Sequence, residues 1–179
     1  SIECYDGFCR SRMMKIKTLV IHPDDKSTTF LKPIYKKAKG KKVLAKGNSP
    51  EEIHSLIKTS GRTLMMGHGS PGGLFSVGMF RNAKGYIINS STVDLLANNH
   101  ENIYIWCNAD KFVLQHGLSG FYSGMFISEV GEALFCGVKA NQKMVTESND
   151  EFAKIVGKHI RLPVFEMYQK VMEEYGVVA

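Results

Sequence analysis

The sequence of 179 residues has few cysteines, few prolines and no long apolar run. Its four cysteines are too few for a disulfide scaffold, so a reducing cytoplasm is the expected compartment. No apolar stretch approaches the ~18 residues that a membrane-spanning helix requires, and the first residues lack the apolar segment of a signal peptide. With 44% apolar and 22% charged residues, the composition excludes a disordered chain. We therefore expect one soluble cytoplasmic domain with no membrane partner.

Arginine and aromatic residues are scarce where the positive charge is concentrated. Residues 15–46 hold ten lysines, two aspartates and no arginine, although the whole chain carries a net charge of only +6. Around the lysines of residues 36–46, Tyr35 is the one aromatic neighbour. Proteins that bind nucleic acid combine such lysines with arginine forks and stacking rings. The pattern predicts a solvated lysine-rich surface and no nucleic-acid partner.

Strands and helices alternate along the chain after an N-terminal stretch without periodicity. Residues 1–13 show neither helical nor strand spacing and are predicted to form a flexible extension. Residues 14–179 are predicted to form one domain, with strands over 16–21, 42–45, 63–66, 86–88, 103–106 and 135–138 and helices that begin near residues 27, 49, 90, 126, 148 and 163. This alternation predicts a three-layer α/β sandwich with a mainly parallel central sheet.

Three of the predicted strands are followed by residues that carry chemistry. His22 follows the first strand, His68 the third and Cys107 the strand over 103–106. In an open α/β sheet, ligands bind beyond the carboxyl ends of the strands. An imidazole beside a thiol takes its proton and leaves a thiolate, which is a strong nucleophile. The pattern therefore predicts a catalytic dyad of His68 and Cys107 at one edge of the sheet.

Two segments carry a resemblance to a known family. Leu64–Gly69 (Leu-Met-Met-Gly-His-Gly) and Ile103–Cys107 (Ile-Tyr-Ile-Trp-Cys) resemble the histidine and cysteine blocks of the caspase, gingipain and legumain group of cysteine peptidases, clan CD, which includes the CHAT type. The resemblance implies a caspase-like domain that hydrolyses peptide bonds in a peptide or protein substrate, with no cofactor and no metal. It implies that His68 is the general base and Cys107 the nucleophile, and that the backbone N–H groups of Gly69 and Cys107 form the oxyanion hole.

The cysteine block also departs from that family. Caspases carry Gln-Ala before the cysteine and a glycine soon after it, whereas this chain has Ile105 and Trp106 before Cys107 and then Asn108 and Ala109. Trp106 is bulky where the relatives have a small residue. These departures define an alternative hypothesis, in which the domain keeps the caspase-like fold as a catalytically silent binding or signalling module.

A second alternative comes from the segment after the first strand. His22–Asp25 (His-Pro-Asp-Asp) resembles the first metal-binding block of the zinc-dependent N-acetylglucosaminyl deacetylases, and imidazole and carboxylate ligands can activate water on zinc. That family continues with a glutamate, whereas this chain continues with Lys26–Thr29. No counterpart of its second histidine-rich block is present, and His100 and His116 are isolated in the sequence.

Acidic residues near the predicted dyad suggest a specificity site. Within the peptidase hypothesis, Asp24 or Asp25 in the loop after the first strand would favour a lysine or arginine on the substrate. Asp110, three residues after the cysteine, is an equal candidate. The alternative role is structural, namely a turn in which Asp25 or Ser27 caps the following helix.

Overall fold

The computed structural model of the protein describes residues 16–124 and 141–176. The predicted extension over 1–13, the helix predicted to begin near residue 126 and the strand predicted over 135–138 lie outside these ranges. Within them, no helix combines the length and the apolar character needed to cross a membrane.

The described elements alternate as the sequence predicts. In chain order they are β1 (Ile16–Ile21), a 3-10 helix (Lys26–Ile34), β2 (Lys41–Leu44), α1 (Pro50–Thr59), β3 (Ser60–Met66), β4 (Gly69–Ser70), β5 (Gly73–Phe75), β6 (Tyr86–Ile88), a single 3-10 turn (Ser90–Thr92), α2 (Val93–Leu96), β7 (Ile103–Ile105), α3 (Ala109–Gln115), β8 (Phe121–Tyr122), α4 (Gln142–Lys158) and α5 (Val164–Glu174).

The central sheet has five strands in the order β2-β1-β3-β7-β8, and every neighbouring pair is parallel. Successive side chains of a strand point to opposite faces, so the inner strands β1, β3 and β7 each contribute to two cores. Leu19 and Ile21 of β1 join the core formed with α1, α2 and α3, whereas Val20 joins the core formed with the 3-10 helix, α4 and α5. The predicted α/β fold with a mainly parallel sheet between helical layers is confirmed.

Local capping signals explain where α1 begins, and a glycine just after the helix permits close pairing of two strands. The Ser49 hydroxyl accepts from the backbone N–H of Glu52, whose carboxylate accepts from the Ser49 N–H, and Pro50 occupies the first turn. Gly61 lies near the start of β3, directly after the helix. A Cβ on Gly61 would lie 2.9 Å from the carbonyl oxygen of Lys17, so the glycine permits the close approach of β1 and β3.

Helix α4 begins earlier than predicted. The predicted start near residue 148 is wrong, because the helix already begins at Gln142 and the Asn141 side chain accepts from the backbone N–H of Met144. Asn149 is a buried residue in the middle of this helix. Polar residues typical of helix caps are here accommodated within a helix whose apolar side packs on the sheet.

The lysine-rich segment surrounds the edge strand β2. Lys36, Lys37, Lys39, Lys41, Lys42 and Lys46 are all exposed, as the solvated-surface prediction requires. Lysine on an edge strand disfavours pairing with the strands of other molecules. The charge concentration therefore has a structural explanation at this edge.

Candidate functional site

The loops that follow β1, β3 and β7 meet at the carboxyl edge of the sheet, because β3 lies between the other two strands. Met66 of β3 is in register with Ile105 of β7, and the N–H of Gly67 continues the pairing by donating to the Ile105 carbonyl at 3.1 Å. His68 and Cys107 each come two residues after this registered pair. The strand register thus brings the two predicted dyad residues to corresponding positions on neighbouring loops.

The loop after β1, the strand on the side of β3 away from β7, holds the His68 imidazole. Its Nε2 lies 2.5 Å from the Ser27 hydroxyl and 3.5 Å from Oδ2 of Asp25. Oδ1 of Asp25 in turn accepts from the Ser27 hydroxyl at 2.8 Å and from the Ser27 backbone N–H at 2.9 Å. Asp25, Ser27 and His68 therefore form one hydrogen-bonded cluster that joins the ends of β1 and β3.

Asp25 has a defined structural task in this cluster. It is the N-cap of the 3-10 helix, as one of the sequence alternatives proposed. Burial alone would raise the pKa of the Asp25 carboxyl, but the two hydrogen bonds from Ser27 and the neighbouring His68 and His22 rings lower it overall. The carboxylate is therefore an ionised partner of Ser27 and His68. This engagement favours a positioning role for Asp25 over contact with a substrate.

Ser27 is a site residue that the sequence argument treated only as a possible helix cap. Its link to His68 spans 41 residues, so local pattern could not reveal it. The available signal was the Asp-Lys-Ser order itself, because an aspartate commonly accepts hydrogen bonds from the residue two positions later. Proximity of that turn to a histidine depends on the pairing of β1 with β3.

Cys107 lies at the turn between β7 and α3. Cys107 is half-buried and directly precedes Asn108, which adopts a left-handed conformation with φ of 68° and starts α3 as its N-cap. The Asn108 side-chain amide lies 3.8 Å from the Cys107 sulfur, and the Asn108 backbone N–H donates to the Gly124 carbonyl at 3.2 Å. The cysteine is thus placed at the sharp turn between β7 and α3.

Trp106, the bulky residue before Cys107, is buried in the core. Its ring is fully buried in the core, against Tyr104 and Phe112 at centroid distances of 5.9 and 5.4 Å. The indole N–H donates to the Ser70 carbonyl at 2.9 Å. The ring also lies against Gly69, where an added Cβ would come within 2.3 Å of Trp106 Cδ1. Trp106 therefore locks the Cys107 loop to the loop that carries His68.

His22, the other histidine at this edge, is a buried structural residue. Only 4% of it is exposed, and its Nδ1 and Nε2 lie 3.1 Å from the Tyr35 and Thr28 hydroxyls. Burial, with a smaller contribution from Lys32, lowers the pKa of His22 from 6.5 to about 4. Both ring nitrogens already have partners. Both partners are protein hydroxyls, an arrangement that does not favour His22 as a zinc ligand. Among the described residues, no group of three His, Cys, Asp or Glu side chains could hold a metal ion.

Because His22 is held neutral, the protein should lose stability in mild acid. His22 takes up a proton near pH 6.5 in the unfolded chain but only near pH 4 in the folded chain. Its contribution to stability is therefore full above pH 6.5 and is lost as the pH falls from 6.5 towards 4. We expect the free energy of unfolding to drop by about 2 kcal/mol between pH 7 and pH 5. Urea denaturation at both pH values measures this drop. His22→Gln should remove it, and an equal pH dependence in that variant would contradict the assignment to His22.

The three acidic candidates for substrate binding occupy different places. Exposed Asp24 lines a cleft of about 280 Å³ beside His22 and Tyr35, and Lys32 lines the same cleft. Asp25 reaches this cleft too, although its carboxylate is engaged as described. Asp110 does not line it, and its Oδ1 is buried with no hydrogen-bond partner within the described parts of the chain. Asp24 is thus the exposed acidic candidate in this cleft, which neither His68 nor Cys107 lines.

Comparison of the chain with protein-family models, with curated proteins and with solved structures finds no match. The function is therefore inferred from the residues of this site.

Proposed function

We propose that the protein is a caspase-like cysteine peptidase that hydrolyses peptide bonds through Cys107, with His68 as the general base. One observation supports this above all. The register of β3 with β7 gives His68 and Cys107 corresponding positions on neighbouring loops. Ser27 and Asp25 contact Nε2 of His68 and orient its ring. An oriented imidazole beside a thiol is the arrangement that nucleophilic catalysis requires.

The reaction follows from the roles of these groups. His68 takes the proton of the Cys107 thiol, and the thiolate attacks the carbonyl carbon of the peptide bond. Backbone N–H groups of Gly69 and Cys107 stabilise the oxyanion. The C–N bond then breaks as His68 returns the proton to the leaving amine, which leaves an acyl-thioester on Cys107. A water molecule loses a proton to His68, attacks the thioester and releases the acid, and the thiol is restored.

The alternative, a silent binding or signalling module, is separated by the reactivity of the thiol. In a working dyad, iodoacetamide should label Cys107 at pH 6.5 at least about tenfold faster than in the His68→Ala variant, because an ordinary thiol with a pKa near 8.5 is only ~1% thiolate there. The two rates should converge at high pH, where any thiol is ionised. Mass spectrometry assigns the label to Cys107.

The control for this experiment is His100→Ala, which removes an exposed histidine at the opposite edge of the sheet, before β7. This variant should label like the unmodified protein. Equal labelling of Cys107 with and without the His68 imidazole would reject the dyad and favour the silent module.

Asp24 gives the proposed peptidase a preference for basic residues. Its carboxylate shares a cleft with Lys32, so the two side chains act on a substrate charge in opposite directions. Asp24→Asn should lower kcat/KM for peptides cleaved after lysine or arginine by about tenfold, and Lys32→Gln should raise it. A library of fluorogenic peptides measures both changes. A profile that is the same in both variants would place specificity elsewhere.

A further inference from the structure

We propose that Ser27 is a positioning residue, which with Asp25 holds His68 in the tautomer with hydrogen on Nε2 and so makes Nδ1 the atom that exchanges protons with Cys107. This inference rests on the proposed function, because it assigns a proton path within the same site. It adds a residue that neither the sequence pattern nor the family resemblance indicates.

The direction of the hydrogen bonds follows from a count of hydrogens. A serine hydroxyl has one hydrogen to donate, and Ser27 donates it to Oδ1 of Asp25 at 2.8 Å. The Ser27 hydroxyl oxygen lies 2.5 Å from His68 Nε2. Since its own hydrogen is already donated to Asp25, this oxygen accepts from His68, and Nε2 must carry the hydrogen. In a neutral imidazole the other nitrogen is then the basic one. The chain of bonds runs from Nε2–H to the hydroxyl and from the hydroxyl to the carboxylate.

The elements that carry Ser27 and Asp25 are well anchored. The Asp25 carbonyl accepts from the backbone N–H of Thr28 at 3.1 Å, and Thr28 is itself buried against His22. Leu31 and Ile34 of the 3-10 helix have no exposed surface and pack in the core below the sheet. Two side chains held in this way keep their contacts with His68 without an ordering cost at the moment of reaction.

The cluster also supports the charge that forms on His68. When the Cys107 proton moves to Nδ1, the imidazolium keeps its Nε2–H and gains the Asp25 carboxylate 3.5 Å away as a counter-charge. Asp25 stays ionised, since its pKa is lowered, and it takes up no proton in the step. Only one proton is transferred, from sulfur to nitrogen.

The same geometry argues against Ser27 as the nucleophile. In a serine-histidine-aspartate triad the carboxylate holds the ring nitrogen opposite the serine, and the serine donates to the histidine. Here the serine and the carboxylate both lie at Nε2, and the serine donates to Asp25. The arrangement orients the histidine and does not activate the hydroxyl.

Nitrogen-15 NMR of the histidine side chains tests the proposal on the full chain, with His68→Gln used to assign the signals. In the unmodified protein at pH 8, His68 should show a protonated Nε2 and an unprotonated Nδ1. Ser27→Ala should give a mixture of tautomers, and Ser27→Thr, which keeps the hydroxyl, should restore the single form. Thr29→Ala is the matched control, because the Thr29 hydroxyl bonds the Asp25 backbone carbonyl and, within the described ranges, no side chain of the cluster.

Iodoacetamide labelling supplies the second readout. Ser27→Ala should lower the pH 6.5 labelling rate of Cys107 by about tenfold or more, a loss typical of a hydrogen bond to a charged group, and Ser27→Thr should recover most of it. A single unchanged tautomer in a folded Ser27→Ala protein would overturn the role of Ser27. If the unmodified protein lacks rapid labelling while Ser27→Ala still mixes the tautomers, the positioning stands and the proposed peptidase fails.

Discussion

The proposed peptidase is expected to lose at least about 10³-fold of its peptide hydrolysis when Cys107 is replaced with alanine. Loss of a nucleophile removes the covalent path, so any residual rate comes from binding and oxyanion stabilisation alone. A fluorogenic peptide assay at neutral pH measures the rate. Since Cys107 is only half-buried, the substitution should leave the fold intact, which thermal denaturation checks.

The Cys107→Ser variant sharpens this result. A hydroxyl in the same place is a much weaker nucleophile than a thiol beside an imidazole, so its rate should lie close to that of the alanine variant. Activity that survives in both variants would mean that Cys107 is not the nucleophile. Complete absence of hydrolysis in the unmodified protein, with an unreactive thiol, is the result that the silent module requires.

The elements that the sequence predicts well have signals within a few residues. The β-branched run over Ile16–Ile21 forms β1 with the predicted bounds, and α1 begins at Pro50 behind the Ser49 cap. The carboxyl ends of neighbouring parallel strands necessarily meet at one edge. The neighbourhood of the loops after β3 and β7 was therefore predictable as soon as the strands were recognised.

Other features depend on distant parts of the chain. The short helix α3 has seven residues and was not predicted, because it follows directly from the Asn108 turn and is stabilised by burial of Phe112 and Val113. Strand β8 has only two residues and exists because it pairs with β7. Residues this few carry no periodicity, so only the tertiary contacts could define them.

The candidate site also combines residues that local sequence signals indicate with a contact between distant segments. His68 and Cys107 were identifiable from their places after strands, whereas the link from Ser27 to His68 requires the loop after β1 to fold back across the end of β3. Trp106 was the clearest departure from the family pattern. Because side chains alternate along a strand, Trp106 enters the core opposite the one that holds Ile105, and there it packs against Gly69.

This packing makes Gly69→Ala a substitution with a large expected structural effect. A Cβ on Gly69 would lie 2.3 Å from Trp106 Cδ1 and 2.5 Å from the carbonyl oxygen of Gly73, both far closer than real contacts. Neither neighbour can move easily, since the indole is buried and bonded to Ser70 and the carbonyl belongs to β5. We expect the free energy of unfolding to fall by about 3 kcal/mol, measured by urea denaturation.

Gly124→Ala is the matched control, because among the described residues the nearest atom to its added Cβ is Oδ2 of Asp110 at 3.9 Å. Its effect should stay within about 0.5 kcal/mol. A double-mutant cycle with Trp106→Leu tests the cause. The smaller side chain relieves one of the two collisions, so alanine at position 69 should cost less in that background, although the Gly73 contact remains. Strictly additive effects would contradict the contact between Gly69 and Trp106. Since that contact joins the His68 and Cys107 loops, Gly69→Ala should also slow the labelling of Cys107 at pH 6.5.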